Sequence, residues 1–302
     1  MRQTPAEMTQ SRSGTTIRLA ALQPDLTIGQ PMPNLHLIRR TVDALVAEEA
    51  LDLLVLPEDF AGTTDPMDPA KLRRFLQTLA KAGRTFVVGG SLSFRDESGA
   101  AYNTCFIVDR QGREVGRYDK RVLFSDEASK HTAGTKPCVF ALDGVRVGVL
   151  ICADLWHPER TRELCDKIDV LAVPAKTGVP SEAHTVYARS VWHALALTRA
   201  TENGFATVVS DWPSARHDSF RVVDGVRTRQ THFTSGASCV IDPSHRPNID
   251  QIVRVLPKGQ PGVIQARIDL DSLVAYREYR RKVGLLPPLS FGPGPTHRMN
   301  DP

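Results

Sequence analysis

The order of apolar segments predicts one α/β domain with mixed sheets. Strand-like and helix-like stretches interleave from residue 17 to residue 282, a hairpin is inserted among them, and no shift of composition marks a linker. No internal repeat is evident. Residues 17–23 (IRLAALQ) alternate as a strand does, and Leu35, Ile38, Val42, Leu45 and Val46 then recur at helical spacing. Residues 51–56 are almost continuously apolar and stop at Pro57, the pattern of a strand buried on both faces. Asp68 and Pro69 open a second helix as cap and first-turn proline. Leu72, Phe75, Leu76 and Leu79 give it a buried stripe, and Gly83 is expected to end it. Residues 85–89 follow as a short strand.

The pattern then changes. Residues 102–108 and 114–118 flank Asp109-Arg110-Gln111-Gly112, a hairpin signature. Residues 145–151 (VRVGVLI) read as a buried strand, Pro158 begins a helix, and residues 170–173 form another strand. A long helix spans about 181–203 and is closed by Gly204. Strands at 205–210, 238–241 and 262–268 and a helix at 272–282 complete the domain, which is expected to span residues 17–284. Residues 1–16 read as a polar lead-in. Residues 285–302 carry Pro287, Pro288, Pro293, Pro295 and Pro302, so that arm cannot be a helix.

Composition narrows the function. The formal charge is only +4, and no basic run alternates with aromatics, which argues against a nucleic-acid partner. The polar N-terminus lacks the apolar core of a secretory signal, and no apolar run is long enough to span a bilayer. The five cysteines are an odd set without a CxxC pair, which points to free thiols in a reducing cytoplasm. Cys138, Cys152 and Cys165 have no close Cys or His companion, so neither a metal nor another cofactor is expected.

Three polar residues fall where expected strands end. Glu58 follows the 51–56 run directly after Pro57, Lys120 lies two residues beyond the 114–118 strand, and Cys152 ends the 145–151 strand. Ligands of α/β folds collect at the carboxyl ends of strands. Singly, each residue has an ordinary reading: a small core cysteine, a loop-capping glutamate, a solvated lysine. Together they supply a nucleophile, a base for its proton and a cation for the oxyanion, with the Ala153 N–H as a second donor.

The segments around them closely resemble the nitrilase superfamily of carbon–nitrogen hydrolases. LVLPEDFAG (residues 54–62), GREVGRYDKRVLF (112–124) and GVRVGVLICADLWHPE (144–159) are similar to the segments carrying that family's Glu, Lys and Cys. YNT at 102–104, RATEN at 199–203 and SGASCVIDP at 235–243 extend the resemblance in family order from about residue 17 to 281. It implies a four-layer α-β-β-α sandwich with two mixed sheets, in members that commonly pair into homodimers. It also implies Glu58 as general base, Lys120 as oxyanion stabiliser and Cys152 as nucleophile. Glu127 in EASKHTAG (127–134) fits the family's second glutamate, although His131 stands where an aromatic is usual. Glu202 of the RATEN run fits a supporting role.

Residues near the expected pocket depart from the family. Ala153 replaces a larger residue, Trp156-His157 replaces Arg-Phe, and Asp211-Trp212 stands where many members have Asn. The Cys152–Asp154 spacing resembles the amidase branches more than the Cys-Trp-Glu of nitrilases, which implies a small polar amide or carbamoyl substrate. Lys176 and Asp211, each following an expected strand, are candidates to pair with ionised substrate groups, and Trp156 and Trp212 to form an apolar wall. The rival readings are a Cys-His thiol hydrolase, a nitrilase, and an acyltransferase or non-catalytic binding protein on the same scaffold. None of the nine histidines sits in a partner motif, and no catalytic residue type is missing.

Overall fold

The computed structural model describes residues 16–63, 67–223, 226–244 and 249–286. The lead-in before residue 16 and the proline-rich arm from residue 287 lie outside the described residues. The N-terminal half runs β1 (Thr16–Gln23), α1 (Pro31–Glu48), β2 (Leu53–Val55), α2 (Pro69–Gly83), β3 (Phe86–Val88), β4 (Leu92–Arg95), β5 (Ala101–Val108) and β6 (Glu114–Asp119). Next come β7 (Cys138–Leu142), β8 (Val145–Val149), α3 (Pro158–Arg162), β9 (Val170–Pro174), β10 (Gly178–Val179), α4 (Thr185–Asn203) and β11 (Ala206–Ser210). The chain closes with β12 (Ala215–Val223), β13 (Val226–Thr234), β14 (Cys239–Ile241), α5 (Ile249–Ile252), β15 (Val253–Val255), β16 (Gly262–Asp269) and α6 (Leu270–Lys282).

Two mixed sheets and a small antiparallel sheet, ordered β10-β13-β12, result. One mixed sheet is ordered β16-β1-β2-β3-β5-β4 with β6 also paired to β5, and the other β15-β14-β11-β9-β8-β7. The alternation of β1 assigns its two faces. Ile17, Leu19 and Ala21 join Leu53, Val55, Val147, Val149 and Val170 in the core between the sheets. Ala20 and Leu22 join Leu54, Leu56 and Val87 under Ile38, Val42 and Leu45 of α1 and Leu72, Leu76 and Leu79 of α2. Trp192, Ala196 and Ala200 of α4 complete the core on the side of the second sheet. The architecture is thus the expected α-β-β-α sandwich.

Several local expectations are corrected. Helix α2 ends at Gly83 as expected, but the left-handed cap is taken by Arg84, because Gly83 is still helical and is buried where a Cβ would press Thr85 Cγ2 at 3.1 Å. The 145–151 strand ends at Val149, because Ile151 donates to the Asp154 carboxylate instead of a ladder partner. The last helix begins at Leu270, two residues early, capped by Asp269. Strands β4, β7, β10, β12, β13 and β15 add to those expected from sequence. The β12–β13 ribbon is polar (ARHDSFRVV and VRTRQTHFT), so it lacks the apolar alternation that reveals a half-buried strand.

Leu19 is fully buried between the sheets. Leu19→Ala should therefore cost about 2–5 kcal/mol, the range for emptying a packed core site. The measurement is the denaturation midpoint, which should fall with little change in slope.

Candidate active site

Glu58, Lys120 and Cys152 each lie just beyond the end of a strand. The β2 ladder continues one bond further through Leu56 N–H to Val88 O, after which Pro57 turns the chain. Glu58 N–H then donates to Ala175 O, just past β9 in the opposite sheet, so the glutamate sits where the two sheets' ends meet. The loop after β3 passes so close that a Cβ on Gly90 (φ +60°) would lie 2.2 Å from Pro57 O, which requires glycine there. Lys120 follows β6 immediately, and its N–H bonds Asn103 O across the β5–β6 pair.

Cys152 opens a short 3-10 turn (Cys152–Trp156) with φ of 45°, a conformation that costs a non-glycine residue about 1–3 kcal/mol. Asp154 holds that turn. Its fully buried carboxylate accepts from Ile151 N (3.0 Å), Arg121 N (3.2 Å), Val122 N (2.7 Å) and Tyr118 Oη (2.8 Å). At about 0.5–1.5 kcal/mol each, four such bonds offset the strain. They also tie the cysteine turn to the segment carrying Lys120, which gives the Cys-x-Asp spacing a physical meaning. From behind, Arg199 of α4 donates to Leu155 O and Trp156 O and pairs with Glu202 at 3.0 Å.

The structure brings Glu58, Lys120, Glu127 and Cys152 to one cavity of about 910 Å³. Lys120 Nζ lies 2.8 Å from Glu58 Oε1 and 2.7 Å from Glu127 Oε2. Asn103 donates both amide hydrogens, to Glu58 Oε1 and Glu127 Oε1, each at 2.8 Å. Glu127 Oε2 also accepts from Phe124 N–H at 2.7 Å. Burial alone would pull the Lys120 ammonium down, but Glu58, a Cys152 thiolate and Glu127 together hold it above the ordinary lysine value. The Cys152 thiol is pushed well above its usual value, first by burial and then by the Glu58 charge, with Lys120 opposing. The resting sulfur is therefore a thiol facing a carboxylate and an ammonium. Its Sγ lies 3.9 Å from Lys176 O.

The other candidates separate. Lys176 lines the cavity, with Nζ 2.8 Å from Asp59 and 4.2 Å from the Trp212 ring centre. Asp211 is not brought to the cavity. It is fully buried and accepts from Thr177 N, Thr177 Oγ1, Trp212 N and Ala237 N, which ties three loops together. Trp212 is also fully buried, behind the site, where Nε1 donates to Glu58 O at 2.8 Å. Trp156 is half exposed and packs edge-on against Trp192, away from the cavity. Ala153 is buried and does not line the cavity. Among the described residues no cluster of three or more His, Cys, Asp or Glu is placed to hold a metal ion.

Asn103 joins both carboxylates, and in sequence it belongs only to the YNT motif at 102–104. An amide inside the otherwise apolar strand AYNTCFIV was the available signal. The β13 wall of the cavity (Gln230, Thr231, His232, Thr234) carries no apolar alternation that would mark it in sequence.

A strained, buried thiol thus lies beside an acid–lysine–acid cluster at the meeting edge of two stacked mixed sheets. Residues 18–278 match the carbon-nitrogen hydrolase family, and the chain belongs to it. It is 29% identical over 275 residues to the 2-oxoglutaramate amidase of Bacillus subtilis, covering 86% of this chain and 93% of that protein. It is 28% identical over 278 residues to an omega-amidase of Escherichia coli, covering 88% and 94%. Among solved structures, Saccharomyces cerevisiae Nit3, of branch 10 of the nitrilase superfamily, superposes with TM-score 0.70 at 22% identity, covering 89% of this chain and 95% of that one. A mutant amidase from Nesterenkonia sp. AN1, showing covalent addition of the acetamide moiety of fluoroacetamide at its active-site cysteine, superposes with TM-score 0.66 at 20% identity, covering 88% and 95%.

The electrostatics predict opposite shifts in two variants. Glu58→Gln removes a negative charge that raises the Cys152 thiol, so the midpoint of its pH-dependent alkylation by iodoacetamide should move down. Lys120→Met removes the opposing cation and should move it up. Unchanged midpoints in both variants would contradict this coupling.

Proposed function

We propose that this chain hydrolyses the carbon–nitrogen bond of a small polar amide through a Cys152 thioester. The observation that carries the reading is the buried Cys152 thiol placed beside Glu58 and Lys120. Because burial keeps the sulfur protonated, it attacks only as its proton leaves, and Glu58 is the acceptor. Sulfur bonds to the carbonyl carbon and the carbonyl electrons move onto oxygen. Lys120 has three N–H donors, two of them engaged by Glu58 and Glu127, so the third is free for this oxyanion together with the Ala153 N–H. Collapse breaks the carbon–nitrogen bond while Glu58 returns the proton to nitrogen, and ammonia or an amine leaves. Glu58 then deprotonates water, which attacks the thioester, and the acid departs as the thiol is restored. Glu127 and Asn103 keep Lys120 and Glu58 in register throughout.

The similarity to proteins named as amidases supports an amide substrate rather than a nitrile. A carbamoyl substrate would use the same steps. All five cysteines are free, which supports a reducing compartment such as the cytoplasm. No helix among the described residues is long and apolar enough to cross a membrane. Exposed Val186 and Tyr187 at the start of α4 support pairing into a homodimer, which sedimentation velocity tests.

Cys152→Ala should abolish ammonia release while the fold is retained, and Lys120→Ala should lower it by about 10²–10³. Wild-type enzyme mixed with substrate and quenched should carry one acyl group on Cys152 by intact mass. Turnover by the alanine variant, or faster reaction of nitriles than of their amides, would overturn the assignment.

A further inference from the structure

The cavity is larger than an amide group needs, so the rest of the acyl chain must meet its outer wall. Four cations line it, and three are neutralised within the protein. Lys120 lies between Glu58 and Glu127, Lys176 pairs with Asp59 at 2.8 Å, and Lys130 with Asp126 at 2.6 Å. These four carboxylates are also the acids of the lining, so each is already engaged. Arg95 has no carboxylate within 4 Å among the described residues; it donates one hydrogen bond to Gly99 O, and most of its five N–H donors remain.

Strand β4 aims Arg95 by its alternation. Leu92 and Phe94 pack with the α1–α2 core, while Ser93 and Arg95 share the opposite, exposed face. Ser93 Oγ lies 3.1 Å from His131 Nε2, and His131 Nδ1 is buried without a partner. The β13 wall adds Gln230, Thr231 and His232 and no acid. The rim is therefore rich in hydrogen-bond donors, with one cation that no carboxylate among the described residues compensates.

We propose that Arg95 determines specificity by binding a carboxylate at the far end of the substrate's acyl chain. This rests on the amide-hydrolase reading of the Cys152 site. The test compares three amides of equal length: glutaramate, pentanamide and 4-aminobutanamide, which end in an anion, a methyl group and a cation. Wild-type enzyme should favour glutaramate over pentanamide in kcat/KM by about tenfold or more, a preference that weakens with salt. Arg95→Gln should collapse that ratio toward one, chiefly through KM. Arg95→Lys should keep part of it, and Arg95→Glu should shift preference toward 4-aminobutanamide. A ratio unchanged in Arg95→Gln, or no preference in the wild type, overturns the proposal.

Calorimetry separates the two readings. If Cys152→Ala binds glutaramate with an affinity that needs Arg95 while the wild type releases no ammonia, the anion site stands and the hydrolase reading falls. If all three amides release ammonia with similar kcat/KM, the hydrolase reading stands and the anion site falls.

Discussion

The site depends on one buried ammonium. Lys120 is 2% exposed, and a desolvated charge of that kind is tolerated only where opposite charge and hydrogen bonds surround it. Glu58 and Glu127 supply the charge, and Asn103 keeps the two carboxylates in place by donating to both. Removing one partner from such an arrangement typically costs about 3–5 kcal/mol, far more than a surface ion pair contributes. Lys120 therefore organises the residues around Cys152 before any substrate arrives. Its net environment is anionic, which keeps it charged and leaves the nearby sulfur protonated.

That cluster demands close meeting of the two sheets. Glu58 N–H reaches Ala175 O across the gap, and Ser210 Oγ reaches Leu22 O. Gln23 bridges further, accepting from Ser238 N–H and donating to Gln260 O. Trp212 fills the space behind Glu58, and Asp211 anchors the loops around Trp212. Residues that look like pocket candidates in sequence thus act from outside the cavity, through the backbone of those that line it.

The strained Cys152 turn follows the same logic. A left-handed cysteine is unfavourable alone, and the four bonds to Asp154 compensate by fixing the turn against Tyr118, Arg121 and Val122. Gly134 packs on this segment as well: a Cβ there would sit 2.1 Å from Asp119 O, and its N–H bonds Lys120 O. Strain at the nucleophile is held by contacts to the lysine segment, so the two groups cannot move independently.

The sequence by itself determined the layered α/β architecture, because alternation in β1 and the helical stripes of α1 and α2 are local patterns that burial must respect. It also marked Glu58, Lys120 and Cys152 as lying at strand ends. Only the tertiary structure decided what shares the cavity. Asn103 and Glu58 are 45 residues apart in the chain, and Lys176 and Asp59 are 117 apart. Proximity at such separations comes from sheet order and from the stacking of one sheet on the other, which no local periodicity encodes. The same reason moved Asp211 and Trp212 behind the site: a position after a strand places a residue near the edge, but neighbouring loops determine which way its side chain turns. The β12–β13 ribbon is the extreme case. Its strands pair through backbone with few apolar side chains, so hydropathy carried no trace of a wall that closes the cavity.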